Sequence, residues 1–180
     1  YQSGYLTIKD YSEWGFTLGV PNEEVRRALN ALLAQFATKK LGAGYRDTLC
    51  GLLAKGDVPG FIEKLKALYA HLTYGSTESS VHEASYQRPL YAILASYPGL
   101  RVIAEDAQAH GRADLVAESR RAVYVFELKV KGSAQEALAQ IKDRGYAEPY
   151  RALGKPIHLI GLAFDPATHT LADALVEPLT

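Results

Sequence analysis

The sequence predicts an α/β fold, a mixed central sheet flanked by helices, preceded by a β-hairpin and a helical lobe. Three observations carry that expectation. Residues 112–118 and 122–130 are short apolar runs, the second rich in β-branched and aromatic residues, with polar Glu118-Ser119-Arg120-Arg121 between them. That is the pattern of two strands joined by a hairpin turn. Ile157-His-Leu-Ile-Gly-Leu-Ala-Phe164 is almost continuously apolar, as expected of a strand covered on both faces. Segments with apolar residues at helical spacing lie before and between these runs, and such alternation around one sheet gives the α/β class.

Each element follows from local chemistry. Residues 4–20 hold two β-rich stretches around a polar turn and predict the hairpin. Pro21-Asn22-Glu23-Glu24 opens a helix with Asn22 as its cap. Val25, Leu29, Leu32, Leu33 and Phe36 recur at helical spacing and predict its buried stripe. A second helix spans 45–55 and stops at Gly56. A third opens at Asp57, with Phe61, Leu65, Leu68, Tyr69 and Leu72 on its apolar face. The Ser/Thr/Gly stretch 75–80 marks a boundary between an accessory lobe (1–76) and a second domain (77–180). Helical spacing returns over 81–97, where Pro89 predicts a kink or a helix start. A strand is expected over 100–105. Ser133-Ala-Gln-Glu136 is a capping box opening a helix that ends at Gly145. A short helix over 147–153, the apolar strand, an Asp165-Pro166 turn and an edge strand over 171–178 complete the chain.

Composition narrows the function classes. Lys plus Arg equals Asp plus Glu at 20 each, so net charge is zero, which argues against a chain built as a basic nucleic-acid clamp. The balance is uneven. Residues 112–155 carry nine Lys/Arg against six Asp/Glu, an excess of three. Cys50 is the only cysteine, so no internal disulfide forms, and a reducing compartment, the cytoplasm, is expected. No apolar run approaches the ~18 residues that span a membrane. No Gly-x₄-Gly-Lys-Ser/Thr motif is present, so no P-loop is expected. A start at Tyr1 and the absence of methionine lead to the expectation of a longer parent polypeptide.

The chemistry gathers on the hairpin of 112–130. Residues two apart share a face of a strand. Arg112, Asp114 and Val116 therefore share one face, and Val123, Val125, Glu127 and Lys129 another. If the two faces adjoin, Asp114, Glu127 and Lys129 converge. Two carboxylates can hold Mg²⁺, which keeps waters and takes a phosphate oxygen as a further ligand. A lysine beside it can position water or stabilise developing negative charge. The same trio also suits a cross-strand charge pair on a half-exposed face. Val123 and Val125 favour the site, because the charges then continue a buried stripe. Arg112 and Lys131 are the adjacent cations expected to meet phosphate, and Glu105 could add a further carboxylate.

Asp114 followed by Glu127-Leu-Lys129 resembles the signature of the PD-(D/E)XK nuclease superfamily. Gly111-Arg-Ala-Asp-Leu-Val116, Tyr124-Val-Phe-Glu-Leu-Lys129 and the stretch 137–150 resemble the branch whose members carry an ATPase-like domain upstream. The opening Gly4-Tyr-Leu-Thr-Ile-Lys9 and Leu18-Gly-Val-Pro-Asn-Glu-Glu-Val-Arg26 resemble the joining segment. The resemblance implies a restriction-endonuclease-like core and Mg²⁺-dependent (or Mn²⁺-dependent) phosphodiester hydrolysis, with DNA as the nucleic acid. It implies Asp114 and Glu127 as metal ligands, with the Leu128 carbonyl as a third, Lys129 beside the nucleophilic water, and Glu83 near the metal. It implies Gln140 as a supporting residue and Tyr146 as a nucleic-acid contact. The family often has histidine where this chain has Gln87. The rival expectation is a catalytically silent nuclease-fold module that binds DNA or a protein partner for the upstream ATPase domain. A third is a pure interaction domain with a structural charged trio.

Overall fold

The computed structural model describes residues 6–13, 15–42, 44–72, 83–108 and 111–179, without the side chains of 105–108 and 111–112. The loop expected at 75–80 lies outside the described residues. β1 (Thr7–Ser12) and β2 (Gly15–Gly19) form the antiparallel hairpin. α1 (Glu23–Thr38) is capped by Asn22, whose Oδ1 accepts the Val25 N–H at 2.9 Å.

The expected buried stripe of α1 is corrected. Leu32, Leu33 and Phe36 are 52%, 56% and 67% exposed, while Asn30, Ala34 and Thr38 are buried. α1 lies against α4 (Glu83–Ala95), and its small and polar residues, not its large apolar ones, are the buried ones. α2 (Tyr45–Lys55) ends at Gly56, where φ is +90° and glycine alone is unstrained. α3 (Val58–His71) is capped by Asp57, whose Oδ1 accepts the Gly60 N–H at 3.0 Å. α4 continues from Glu83 through Pro89, so the proline neither starts nor ends it. The ring removes one intrahelical donor.

The main sheet has the order β3-β4-β5-β6-β7, from β3 (Arg101–Gln108), β4 (Gly111–Glu118), β5 (Val123–Val130), β6 (Ile157–Asp165) and β7 (Thr170–Leu179). Only β5 and β6 are parallel. β3 extends beyond the expected 105, and 147–153 forms a 3-10 turn over Glu148–Leu153. Ser119 closes the β4–β5 turn, its Oγ accepting the Arg121 and Ala122 N–H groups at 3.1 and 3.0 Å.

β5 is the middle strand and is buried on both faces. Val123 and Val125 join Val116, Leu138, Ile141 and Leu159 beneath α5 (Ala134–Asp143). Tyr124, Phe126 and Leu128 join Leu53, Phe61, Leu65 and Leu90 on the other side. Each such fully buried side chain contributes roughly 1.5–3 kcal/mol. Buried tyrosine needs a partner for its hydroxyl, and Tyr124 Oη donates to the Leu53 carbonyl at 2.6 Å. Phe61 meets Phe126 edge-on at 6.1 Å between centroids. Residues on both sides of position 76 thus share one hydrophobic cluster. His158 stacks on Tyr124 at 5.4 Å, and burial holds its pKa below the ordinary value.

α5 opens with the expected capping box: Ser133 Oγ accepts the Glu136 N–H at 3.1 Å, and Glu136 Oε2 accepts the Ser133 N–H at 2.8 Å. It rests directly on β6 at Gly161, where any Cβ would run into the Ala134 carbonyl oxygen and stand 3.1 Å from Ala137 and Leu138. Among the described residues no helix is long and apolar enough to cross a membrane.

Candidate active site

The site lies where β4 and β5 part. Their pairing runs from Glu118↔Val123 to Leu115↔Phe126 and goes no further. The next positions are Asp114 and Glu127, side by side on the α5 face. At the opening, the Leu128 N–H donates to Asp114 Oδ2 at 2.7 Å, so a side chain takes the place of the ladder. The Asp114 backbone carbonyl accepts from Gln87 Nε2 of α4. Asp114 is thus held through its backbone from one layer and through its side chain from β5.

Glu127 is 2% exposed. Its Oε1 accepts from Lys129 Nζ at 3.1 Å and from Gln140 Nε2 of α5. Its Oε2 is buried and has no hydrogen-bond partner among the described residues. An unsatisfied buried carboxylate oxygen is costly, and native proteins rarely keep one without a use. Burial, and next to it the Asp114 charge, push the Glu127 pKa from 4.5 to about 7 against the pull of Lys129. For Lys129, burial pulls the other way, but Glu127, Glu83 and Asp114 together hold its pKa above the ordinary value.

The remaining candidates take distinct places. Glu83, at the first turn of α4, sets Oε1 3.9 Å from Lys129 Nζ, and its side chain is 44% exposed. Among the described residues no three His, Cys, Asp or Glu side chains gather as a metal-holding group. The carboxylate of Glu83 faces the Lys129 ammonium in this arrangement. Gln140 stands where the sequence puts a supporting residue, on Glu127. Tyr146 is 5% exposed, and its hydroxyl accepts from Gln140 Nε2 at 3.4 Å. Its ring joins the core beneath α5. Lys131 is exposed just past β5, with φ at +65°. Arg112 is in β4 opposite Ala107, and its side chain, like that of Glu105, lies outside the described residues.

A family model of the PD-(D/E)XK nuclease superfamily matches residues 81–174, which contain Asp114, Glu127, Lys129 and Gln140. The chain belongs to the PD-(D/E)XK nuclease superfamily. The five-strand mixed sheet flanked by helices is consistent with that fold. Superfamily members are generally nucleases that use divalent metals such as Mg²⁺. The chain is also similar to an uncharacterized protein in the vnfD 5′ region of Azotobacter chroococcum mcd 1, at 37% identity over 191 residues. That match covers 99% of this chain and 37% of the relative, so the chain spans little more than a third of the relative's length. No solved structure matches.

Two residues of this PD-(D/E)XK site escaped the sequence reading. Gln87 entered only as a departure from a family histidine, yet it bonds the backbone of Asp114. The available signal was its position: Gln87 falls on the same helical stripe as Tyr86, Leu90 and Leu94, all buried. Gly161 pairs with Glu127 across β5–β6 and lets α5 approach. A lone glycine in an apolar strand is a sign of close backbone approach.

Proposed function

We propose that the chain is a metal-dependent nuclease that hydrolyses phosphodiester bonds of nucleic acid, with DNA as substrate. The single observation that carries this reading is the buried, unpartnered Oε2 of Glu127 beside Asp114 at the parted strands. Two hard oxygen donors and a buried oxygen lacking a partner among the described residues fit a divalent cation that keeps waters and takes phosphate oxygen. Asp114 and Glu127 would hold Mg²⁺ or Mn²⁺, with the Leu128 carbonyl adjacent. Such an ion supplies a lowered pKa for a bound water and charge stabilisation at the phosphate.

The protein groups divide the remaining work. Lys129 presents an ammonium beside the two carboxylates and stabilises negative charge as it develops on the phosphate. Glu83 keeps that ammonium charged and aimed. Gln140 and Tyr146 hold Glu127 so that Oε2 stays presented. Lys131, exposed just past β5, is a phosphate-steering cation, and Arg112 in β4 is expected to be another. Cytoplasmic location, suggested by the single cysteine, and a neighbouring ATPase-like domain, suggested by the motif wording, complete the proposal. The rival reading is a silent nuclease-fold module that binds nucleic acid or a protein for that ATPase domain.

The test is cleavage of linear and circular DNA, single and double stranded, in Mg²⁺, Mn²⁺ or EDTA. Metal-dependent cleavage by wild type, lost in Asp114→Asn and Lys129→Ala with unchanged circular dichroism, supports the nuclease. Retained cleavage in Lys129→Ala overturns the assigned role, and DNA binding without cleavage by wild type supports the silent module.

A further inference from the structure

We propose that Gln87 is a positioning residue for metal binding: from the helical layer, it fixes the backbone that carries Asp114. The inference rests on the reading of Asp114 and Glu127 as metal ligands. Gln87 is 8% exposed on α4, and its amide nitrogen donates to the Asp114 carbonyl. Burying an amide on an apolar helix stripe costs free energy unless it is hydrogen-bonded, so its presence calls for a partner that matters.

The partner sits at the one place where β4 lacks β5. Below Leu115↔Phe126 the two strands no longer hold each other, yet Asp114 must keep its carboxylate within 2.7 Å of the Leu128 N–H and beside Glu127. With the ladder gone at this point, the Gln87 bond is what ties the Asp114 backbone to the helical layer. It is a bond to the backbone, so it fixes position without neutralising the carboxylate. A histidine at this position would also present an N–H, which makes Gln87→His a rescue variant.

Residues that orient metal ligands typically change metal affinity or activity by 10–100-fold when removed. The experiment titrates Mn²⁺ alone into the whole 180-residue chain and reads free Mn²⁺ by electron paramagnetic resonance. Gln87→Met keeps the bulk and removes the donor. Gln87→Glu keeps the shape and replaces the N–H with an oxygen. The expected result is Mn²⁺ affinity weakened about tenfold or more in both, with affinity near wild type in Gln87→His. Either loss variant decides the matter if the other fails to fold, and far-UV circular dichroism identifies which is folded.

Unchanged Mn²⁺ affinity in a folded loss variant, while Asp114→Asn abolishes binding, overturns the Gln87 role and leaves the metal site standing. Equal weakening in Gln87→His and Gln87→Met overturns the donor argument and makes Gln87 a packing residue. No Mn²⁺ binding by wild type, or binding indifferent to Asp114→Asn, overturns the metal-site reading itself and Gln87 with it.

Discussion

Glu127→Gln offers a test of the buried carboxylate that needs neither substrate nor metal. In the folded protein Glu127 titrates at about 7 against an ordinary 4.5. Its raised pKa means that the folded state favours the proton. The stability associated with Glu127 is therefore complete below the unfolded pKa and is lost as pH climbs through about 7. Between those values the native state holds one proton that the unfolded chain has released, so stability falls by about 1.4 kcal/mol per pH unit. The full span of roughly 2.5 units corresponds to about 3 kcal/mol.

Glutamine carries no charge to desolvate and escapes that loss. The pull of Lys129 is already part of the Glu127 pKa and takes nothing more from the difference. In EDTA, Glu127→Gln should therefore match wild type at pH 5 and exceed it by about 2.5 kcal/mol at pH 8.5. For a chain of this size that is about 5–10 °C in melting temperature. Urea and thermal melts from pH 5 to 9 measure it. Mn²⁺ added at pH 8.5 should raise wild type selectively, because only its site binds the ion. Melts that run parallel across the whole range, or a gap that opens in acid, would refute a desolvated carboxylate at this position.

Three further outcomes are expected. Gly161→Ala forces α5 away from β6, so it should cost about 1–3 kcal/mol in urea unfolding as overpacking does. It should also cut cleavage, because Gln140 loses its reach to Glu127. Cys50 is fully buried, with burial pushing its thiol up to about 12; a maleimide should label it only as the protein unfolds, and native-state labelling would contradict that packing. Ser133→Ala removes the capping-box acceptor from Glu136 and should lower stability by about 1 kcal/mol in denaturant melts.

The convergence of Asp114, Glu127 and Lys129 was legible because period-two alternation assigns faces, and the turn at Ser119 fixes the register between them. The edge position of β7 and the capped helix α5 followed from equally local signals. α1 shows where such signals stop. Periodicity puts Leu32, Leu33 and Phe36 on one face but cannot say which face a neighbouring helix will cover, and α4 covers the face with Ala34. Glu83 could be placed at the start of its helix, but not the direction of its carboxylate, which depends on the distance to Lys129. Gln87 and Gly161 act across layers, one through a backbone carbonyl and one through a missing side chain. The stripe that holds Gln87 and the lone glycine in β6 mark both as buried or closely approached, but the partner each meets lies in another layer and leaves no local pattern.

The bond from Leu128 to Asp114 gives position 114 two duties at once. It is a rung of the sheet as well as one of the two carboxylates of the proposed metal site, and both duties depend on side-chain length. Glutamate would carry its carboxylate one methylene too far, past the Leu128 N–H and toward Glu127. Alanine would leave that N–H without its acceptor, so loss of activity in Asp114→Ala would mix chemistry with a frayed strand end. Asparagine keeps an oxygen at the same reach for the Leu128 N–H while removing the charge, so it separates the rung from the charge where alanine cannot.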